Sequence, residues 1–482
     1  MENRVLAGLE PQSVFHFFEE LCQLPHESHN TKAASDWAEA FAKERNLKYR
    51  RDEAGNVVIW KDGTPGYENH PAVILQGHLD MVCVKENDIE HDFSKDPLNL
   101  YIEDGCVKAR GTTLGGDNGI AIAMALAVLD SNEIPHPPVE AMFTVDEEVG
   151  LLGAVALDCS DLKGRMLVNI DSEEEGVLTV SCAGGCRSDI SRSYSTAEAS
   201  GTLCTLTVSG LQGGHSGMEI NKGLANGNKV LAECLLKLAK ATKLQLSYIF
   251  GGMQDNAIPK ESTAKFVMPE ADVQAAAALI EELQNTFKAT YAATEPGLTI
   301  ALTHESGTCA TLSLEDSTAF IQMVVDYPNG VQAMSQDIEG LVQTSLNLGI
   351  LRLENGECLL SSSVRSSVGS EKAVLLDRLD ALAKANAAVF TKRGEYPAWE
   401  YRKDSPLRDT MVQVFREQYG KEPVVAAIHA GLECGILADK LPGLDAVSIG
   451  PDLWDVHSTR ERMSIASIER VWKYLLGVLK AL

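Results

Sequence analysis

An α/β domain with a central mixed sheet, interrupted by an inserted α+β domain, is the fold the sequence predicts, on three observations. Over the first 185 residues short apolar runs alternate with helical periodicities, the pattern of a sheet covered by helices on both faces. From about residue 187 the style changes to alternating strands separated by long amphipathic helices. After about residue 400 the first style returns. The boundaries follow as 1–186 and 400–482 for the α/β domain and 187–399 for the insertion.

The elements can be justified in order. Val14, Phe17, Phe18 and Leu21 recur at helical spacing within residues 11–23, and Ala34, Trp37 and Phe41 do so within 31–45. Val57–Trp60, Ala72–Leu75, Val139–Val145 and Met166–Ile170 are short apolar runs bounded by turn residues, and read as strands. Gly115-Gly116-Asp117-Asn118-Gly119 leads into Ile120–Leu129, which is apolar nearly all round and so predicts a buried helix. In the insertion, Cys204–Ser209 alternates as a strand, and a glycine-rich turn precedes a helix near 223–242. A second helix at 271–290 leads to a strand at Leu298–Thr303, and 310–390 reads as a further strand–helix–strand–helix set. The closing part contributes strands at Val424–Ile428 and Ala446–Ile449. It ends in a helix at 464–480 with Ile465, Ile468, Trp472, Leu475 and Leu479 on one face.

Composition excludes several classes of function. A net charge of −26 argues against nucleic acid as a partner, since phosphate backbones reward basic surfaces. The longest apolar run, Ile120–Leu129, is about half of the ~20 residues that a membrane-spanning helix requires. The start, Met1-Glu2-Asn3-Arg4, lacks a basic cluster followed by an apolar block, which predicts no signal peptide and a cytoplasmic location. Eleven scattered cysteines do not form a disulfide framework; reduced, mostly buried thiols are expected.

Five segments carry chemistry. His78 and Asp80, in Leu75-Gln76-Gly77-His78-Leu79-Asp80, lie two apart at a strand end and suit an imidazole ligand oriented by an acid. They also suit a histidine that merely bonds its neighbour. Asp146-Glu147-Glu148 follows an apolar strand; such acids either bind a cation and exchange a proton or form an acidic surface loop. Asp117 reads equally as a ligand or as an N-cap of the buried helix. Asp171 and His457 each follow a strand. Together these supply nitrogen and oxygen donors without thiolate, which suits catalytic zinc, cobalt or manganese rather than structural zinc.

The order of these segments resembles the M20 family of metallopeptidases, which includes dipeptidases, aminoacylases and carboxypeptidases. The resemblance runs through His78-Leu79-Asp80, Gly116-Asp117-Asn118-Gly119, Asp146-Glu147-Glu148-Val149-Gly150, Asp171, Gly214-His215-Ser216-Gly217 and His457. Leu24-Pro25-His26-Glu27-Ser28 and the long insertion are more similar to the dipeptidase members. The resemblance implies two divalent ions per subunit, zinc first with cobalt or manganese as alternatives. Asp117 would bridge them, Glu148 and His457 would hold one, and His78 and Asp171 the other. It implies Asp80 as the residue orienting His78, Glu147 as general base, and His215 as the lid histidine that stabilises an oxyanion. It also implies Asn256, Arg365 and Glu433 as contacts to substrate, its carboxylate and its ammonium respectively. A catalytic α/β domain, an α+β lid and a homodimer acting on small peptides complete the expectation. The rivals are an N-acyl amino acid deacylase or carboxypeptidase of the same family and, further off, a non-catalytic relative.

Overall fold

The computed structural model describes residues 4–482. The chain forms two compact units. One comprises the chain up to Ser181 together with Tyr401–Ala427 and Leu432–Leu482; the other comprises Cys182–Glu400 and the short return Ile428–Gly431.

The first unit is built on a mixed eight-stranded sheet. Its order is Lys48–Arg51, Val57–Lys61, Val139–Thr144, Val73–His78, Met166–Asn169, Asp445–Ser448, Val177–Cys182 and Val424–Ile428. Val73–His78 runs parallel to both Val139–Thr144 and Met166–Asn169, which in turn runs parallel to Asp445–Ser448. Every residue of Val73–His78 and Val139–Thr144 is buried, as expected of parallel strands covered on both faces. A smaller sheet orders Leu453–Trp454, Arg462–Ser464, Cys106–Ala109 and Leu100–Glu103.

The helix Gly116–Asp130 is buried from Asn118 to Leu129, which explains why its sequence is apolar all round. A side chain at Gly119 would stand 3.1 Å from Phe18 and 3.2 Å from Leu21, so glycine permits the helix Gln12–Leu21 to pack closely. The Nζ of Lys61 closes the other end, donating to the carbonyls of Val128 (3.2 Å), Leu129 (3.0 Å) and Ser131.

The second unit is an antiparallel nine-stranded sheet carrying the helices Gly227–Ala241, Val273–Thr290, Leu314–Asp326 and Gly369–Ala385. Their apolar sides join one continuous core with the strands, including Leu231, Leu235, Phe266, Phe320, Leu351 and Leu379. Over 310–390 the end of the strand Thr299–Thr311 and the helix Leu314–Asp326 are followed by three strands, not the single one expected, before the helix Gly369–Ala385. After Gly330–Met334 the centre is a long hairpin of Val342–Glu354 and Glu357–Ser366. Its two-residue loop, Asn355-Gly356, has φ of 51° and 82°, the geometry that matches strand twist and that an Asn-Gly pair favours.

All eleven cysteines are thiols, nine of them buried.

Candidate metal centre

Three parallel strands deliver side chains to one end of the first unit's sheet. Val73–His78 ends on His78, Val139–Thr144 leads into Glu147 and Glu148, and Met166–Asn169 leads into Asp171. Loops at the C-terminal ends of parallel strands are where α/β sheets place their sites. Asp117 arrives from the start of the buried helix with non-helical φ −82° and ψ 104°, and no side chain caps that helix. The capping alternative is therefore not the one the fold uses. His457 enters on the loop between Leu453–Trp454 and Arg462–Ser464, with φ 60°.

The two oxygens of Asp117 face different partners. Oδ1 lies 3.2 Å from Nε2 of His78, and that same nitrogen lies 3.5 Å from Oδ1 of Asp171. Oδ2 lies 3.2 Å from Nε2 of His457, which lies 3.0 Å from Oε1 of Glu148. Donors around a tetrahedral ion with bonds of 2.0–2.2 Å stand roughly 3.3–3.6 Å apart. Each side of Asp117 has close to that spacing, and ligand atoms of His78, Asp117 and Glu148 all lie within 4.8 Å of one another. The donor set therefore fits a divalent cation.

Electrostatics point the same way. Burial pushes the Asp171 carboxyl up to about 6 against the pull of His78. Burial also pushes Glu147 well above the ordinary carboxyl range, and the charges of Asp171, Glu433 and Glu148 add to the effect while His78 opposes it. Asp117 is held below the usual range because hydrogen bonds from His457 and His78 outweigh its burial. His78 resists ionisation through burial, yet Asp117, Asp171 and Asp80 raise its pKa well above that of free imidazole. Hydrogen bonds to Asp117 and Glu148 raise His457 to about 11. Protons are standing where positive charge is required, and a divalent cation supplies that charge without them.

Asp80 has a wider role than orienting a ring. Nδ1 of His78 lies 3.0 Å from the Asp80 main-chain carbonyl and 3.4 Å from its carboxylate, which leaves Nε2 facing Asp117 and Asp171. The carboxylate accepts from the amides of Glu147 (3.0 Å) and Glu148 (3.3 Å) and from Ser28 Oγ (2.8 Å). Asp80 thus fixes the backbone that carries two further site residues.

Sequence reasoning gave no role to Asn118. Its Oδ1 accepts from the His78 amide (3.1 Å) and its Nδ2 donates to the Ile170 carbonyl (2.6 Å), so it ties together the segments bearing His78, Asp117 and Asp171. A side chain at Gly77 would stand 2.4 Å from that Oδ1, which is why glycine precedes His78. The only signal was adjacency to Asp117.

Glu433 lies in the first unit and is fully buried. Its Oε2 accepts from Gln76 Nε2 and Thr144 Oγ1, both at 2.6 Å, while Oε1 has no partner. Burial pushes this carboxyl up to about 7.

His215, Asn256 and Arg365 lie in the second unit. Nδ1 of His215 accepts from the amides of Gly217 (3.3 Å) and Met218 (3.1 Å), so the proton of the neutral ring sits on Nε2, leaving a donor. Burial and the charge of Arg365 both lower this histidine's pKa. Asn256, whose carbonyl accepts from the Ser216 amide at 2.9 Å, lines a cavity of about 600 Å³ with His215, Phe250, Met253 and Ile258. Arg365 is 9% exposed; Tyr396 Oη accepts from it at 3.4 Å, and its Nε has no partner. Among the described residues no acid is paired with this guanidinium.

With such donors set beside a buried carboxyl whose pKa is raised, the class of protein in view is a metal-dependent hydrolase. Comparison with known proteins carries this further: residues 74–481 match the model of Peptidase family M20/M25/M40, and the chain belongs to that family and is a hydrolase acting on peptide bonds. It is 38% identical over 477 residues to the cytosol non-specific dipeptidase of Escherichia coli (strain K12), covering 98% of each chain. Its fold is similar to that of aminoacylhistidine dipeptidase from Vibrio alginolyticus, with a TM-score of 0.95, 35% identity, and coverage of 100% of this chain and 98% of the other. Aminopeptidase PepT from Bacillus cereus ATCC 10987 shares the fold at a TM-score of 0.56 and 14% identity, with 98% and 99% covered.

Proposed function

We propose that the chain is a di-metal dipeptidase that hydrolyses unblocked dipeptides, Xaa-His among them. The observation that carries the di-metal reading is that the two oxygens of Asp117 each face a different histidine–carboxylate pair. The dipeptidase reading is supported by the activities named for the Escherichia coli and Vibrio relatives.

In this reading His78 and Asp171 would hold one ion, Glu148 and His457 the other, and Asp117 would serve both. Zinc is the proposed metal, with cobalt or manganese able to replace it, since the donors are nitrogen and oxygen. When bound, such ions polarise the scissile carbonyl and lower the pKa of the attacking water. Glu147 takes the proton of that water and returns it to the leaving amine. Burial raises its pKa, which favours its taking up that proton. Asp80 keeps Glu147 in place through its amide. His215 offers its Nε2 hydrogen to the oxyanion. Arg365 takes the terminal carboxylate by a bidentate contact, with Asn256 as a further hydrogen-bonding group. The unpartnered Oε1 of Glu433 is the acceptor proposed for the free ammonium. A homodimer and a cytoplasmic location are proposed with this function. No helix among the described residues is long and apolar enough to cross a membrane.

A panel of free dipeptides beside their N-acetyl forms and N-acyl amino acids tests the substrate reading. Cleavage of the free dipeptides alone is expected. Equal or preferred cleavage of the blocked compounds would replace it with a deacylase or carboxypeptidase.

A further inference from the structure

Glu461 was not singled out by any motif, yet it is a carboxylate only 4% exposed and, among the described residues, it has no cationic partner. Both of its oxygens are held by backbone amides. Oε2 accepts from Leu114 (2.7 Å) and Gly115 (3.2 Å), and Oε1 from Gly116 (2.9 Å) and Asp117 (3.4 Å). These amides belong to the approach and first turn of the buried helix, where N–H groups have no partner inside the helix and favour negative charge.

The loop is shaped around the carboxylate. Gly115 has φ 68°, in the left-handed region, and a side chain there would press on Met81 Sδ at 2.8 Å. A side chain at Gly116 would stand 3.3 Å from Oε1 of Glu461 itself. At its other end, Glu461 is joined to His457 by one turn, its amide donating to the Ser458 carbonyl at 3.1 Å. The next residues, Arg462–Ser464, are pinned by pairing with Cys106–Ala109. One side chain therefore connects the segment bearing His457 with the peptide bearing Asp117, whose side chains meet at 3.2 Å.

We propose that Glu461 is a positioning residue of the metal centre: by holding the amides of residues 114–117 it aims the Asp117 carboxylate at both ion positions and fixes its distance from His457. This rests on the reading above that Asp117 bridges two ions. Because Asp117 serves both positions, losing the anchor weakens both ions together.

The test uses the full chain as wild type, Glu461→Gln and Glu140→Gln. Glu140 is the matched control: 2% exposed, it accepts from the amides of Lys163 (2.9 Å) and Gly164 (3.0 Å) and from Trp60 Nε1 (3.3 Å), none of them a proposed ligand or a residue of the 114–117 loop. Each protein is stripped of metal and titrated with cobalt(II) against a chromophoric chelator, and thermal unfolding is recorded without metal. Glu461→Gln is expected to lose about 10–100-fold in affinity at both positions, the usual effect of removing a residue that orients ligands, while Glu140→Gln matches wild type. Wild-type affinity in Glu461→Gln overturns the proposal, and so does an equal loss in Glu140→Gln, which would make the effect general destabilisation. If Glu461→Gln does not fold, Glu461→Asp keeps the charge but retracts the oxygens; a loss of the same sign supports the proposal and unchanged affinity overturns it. A wild type that takes up no cobalt overturns the metal-centre reading itself, an outcome distinct from one confined to the variants.

Discussion

At the scale of the residue, what distinguishes this centre is how differently neighbouring carboxylates are treated. Glu147 and Glu148 are adjacent, yet Oε1 of Glu148 lies 3.0 Å from His457 whereas Glu147 is buried among like charges that favour its protonated form. Glu147→Gln is accordingly expected to retain metal and lower kcat by about 10²–10⁴-fold, the span attributed to a general base. Steady-state kinetics paired with metal analysis checks this, and near-normal turnover would remove Glu147 from the role. Asn118→Ala should act differently. Its two bonds hold His78 and the segment of Asp171, so cobalt affinity should fall chiefly at one of the two positions, visible as a biphasic titration. A uniform fall, or none, would count against that assignment.

At the scale of the element, the parallel strands explain why ligands distant in sequence meet, and hairpins explain where the insertion departed from expectation. The strand–ligand pairings were legible because each apolar run ends directly on a histidine or acid. The helix of residues 116–130 was legible for a similar reason: only a buried helix is apolar all round. Asn118 and Glu461 were not legible, since they act through backbone amides and carbonyls that leave no periodic trace in sequence. The hairpin at Asn355-Gly356 did carry its signal, an Asn-Gly pair between two strands, within a stretch expected to hold a single strand between two helices. Gly356→Ala tests that element. Its φ of 82° disfavours a side chain, and the added carbon would meet the Tyr194 carbonyl at 2.4 Å. A loss of at least about 1–2 kcal/mol is expected from the left-handed backbone alone. Denaturant unfolding measures it, and unchanged stability would show that the turn relaxes freely.

At the scale of the whole molecule, the balance of protons and metal gives a pH dependence with a definite sign. Asp171 at about 6, with Glu173, Glu433 and Glu461 at about 7 through burial, bind protons more tightly folded than unfolded. His457, at about 11, does the same. A raised folded pKa contributes stability below the unfolded value and loses it as pH rises through the folded one. The metal-stripped protein should therefore lose thermal stability as pH rises from about 5 to 8, and the net charge of −26 adds self-repulsion. Zinc or cobalt should restore stability most at the upper end, where ions replace missing protons. A melting temperature of the stripped protein that rises across this window would contradict the account.

The most direct test of the central claim is the metal stoichiometry of Asp117→Ala beside Asp171→Ala and wild type, measured by cobalt titration of the stripped proteins. The account predicts two ions per chain in wild type, near-complete loss of both in Asp117→Ala, and retention of one in Asp171→Ala. An Asp117→Ala variant that keeps one tightly held ion would show that Asp117 is an ordinary ligand of a single site and not the bridge between two.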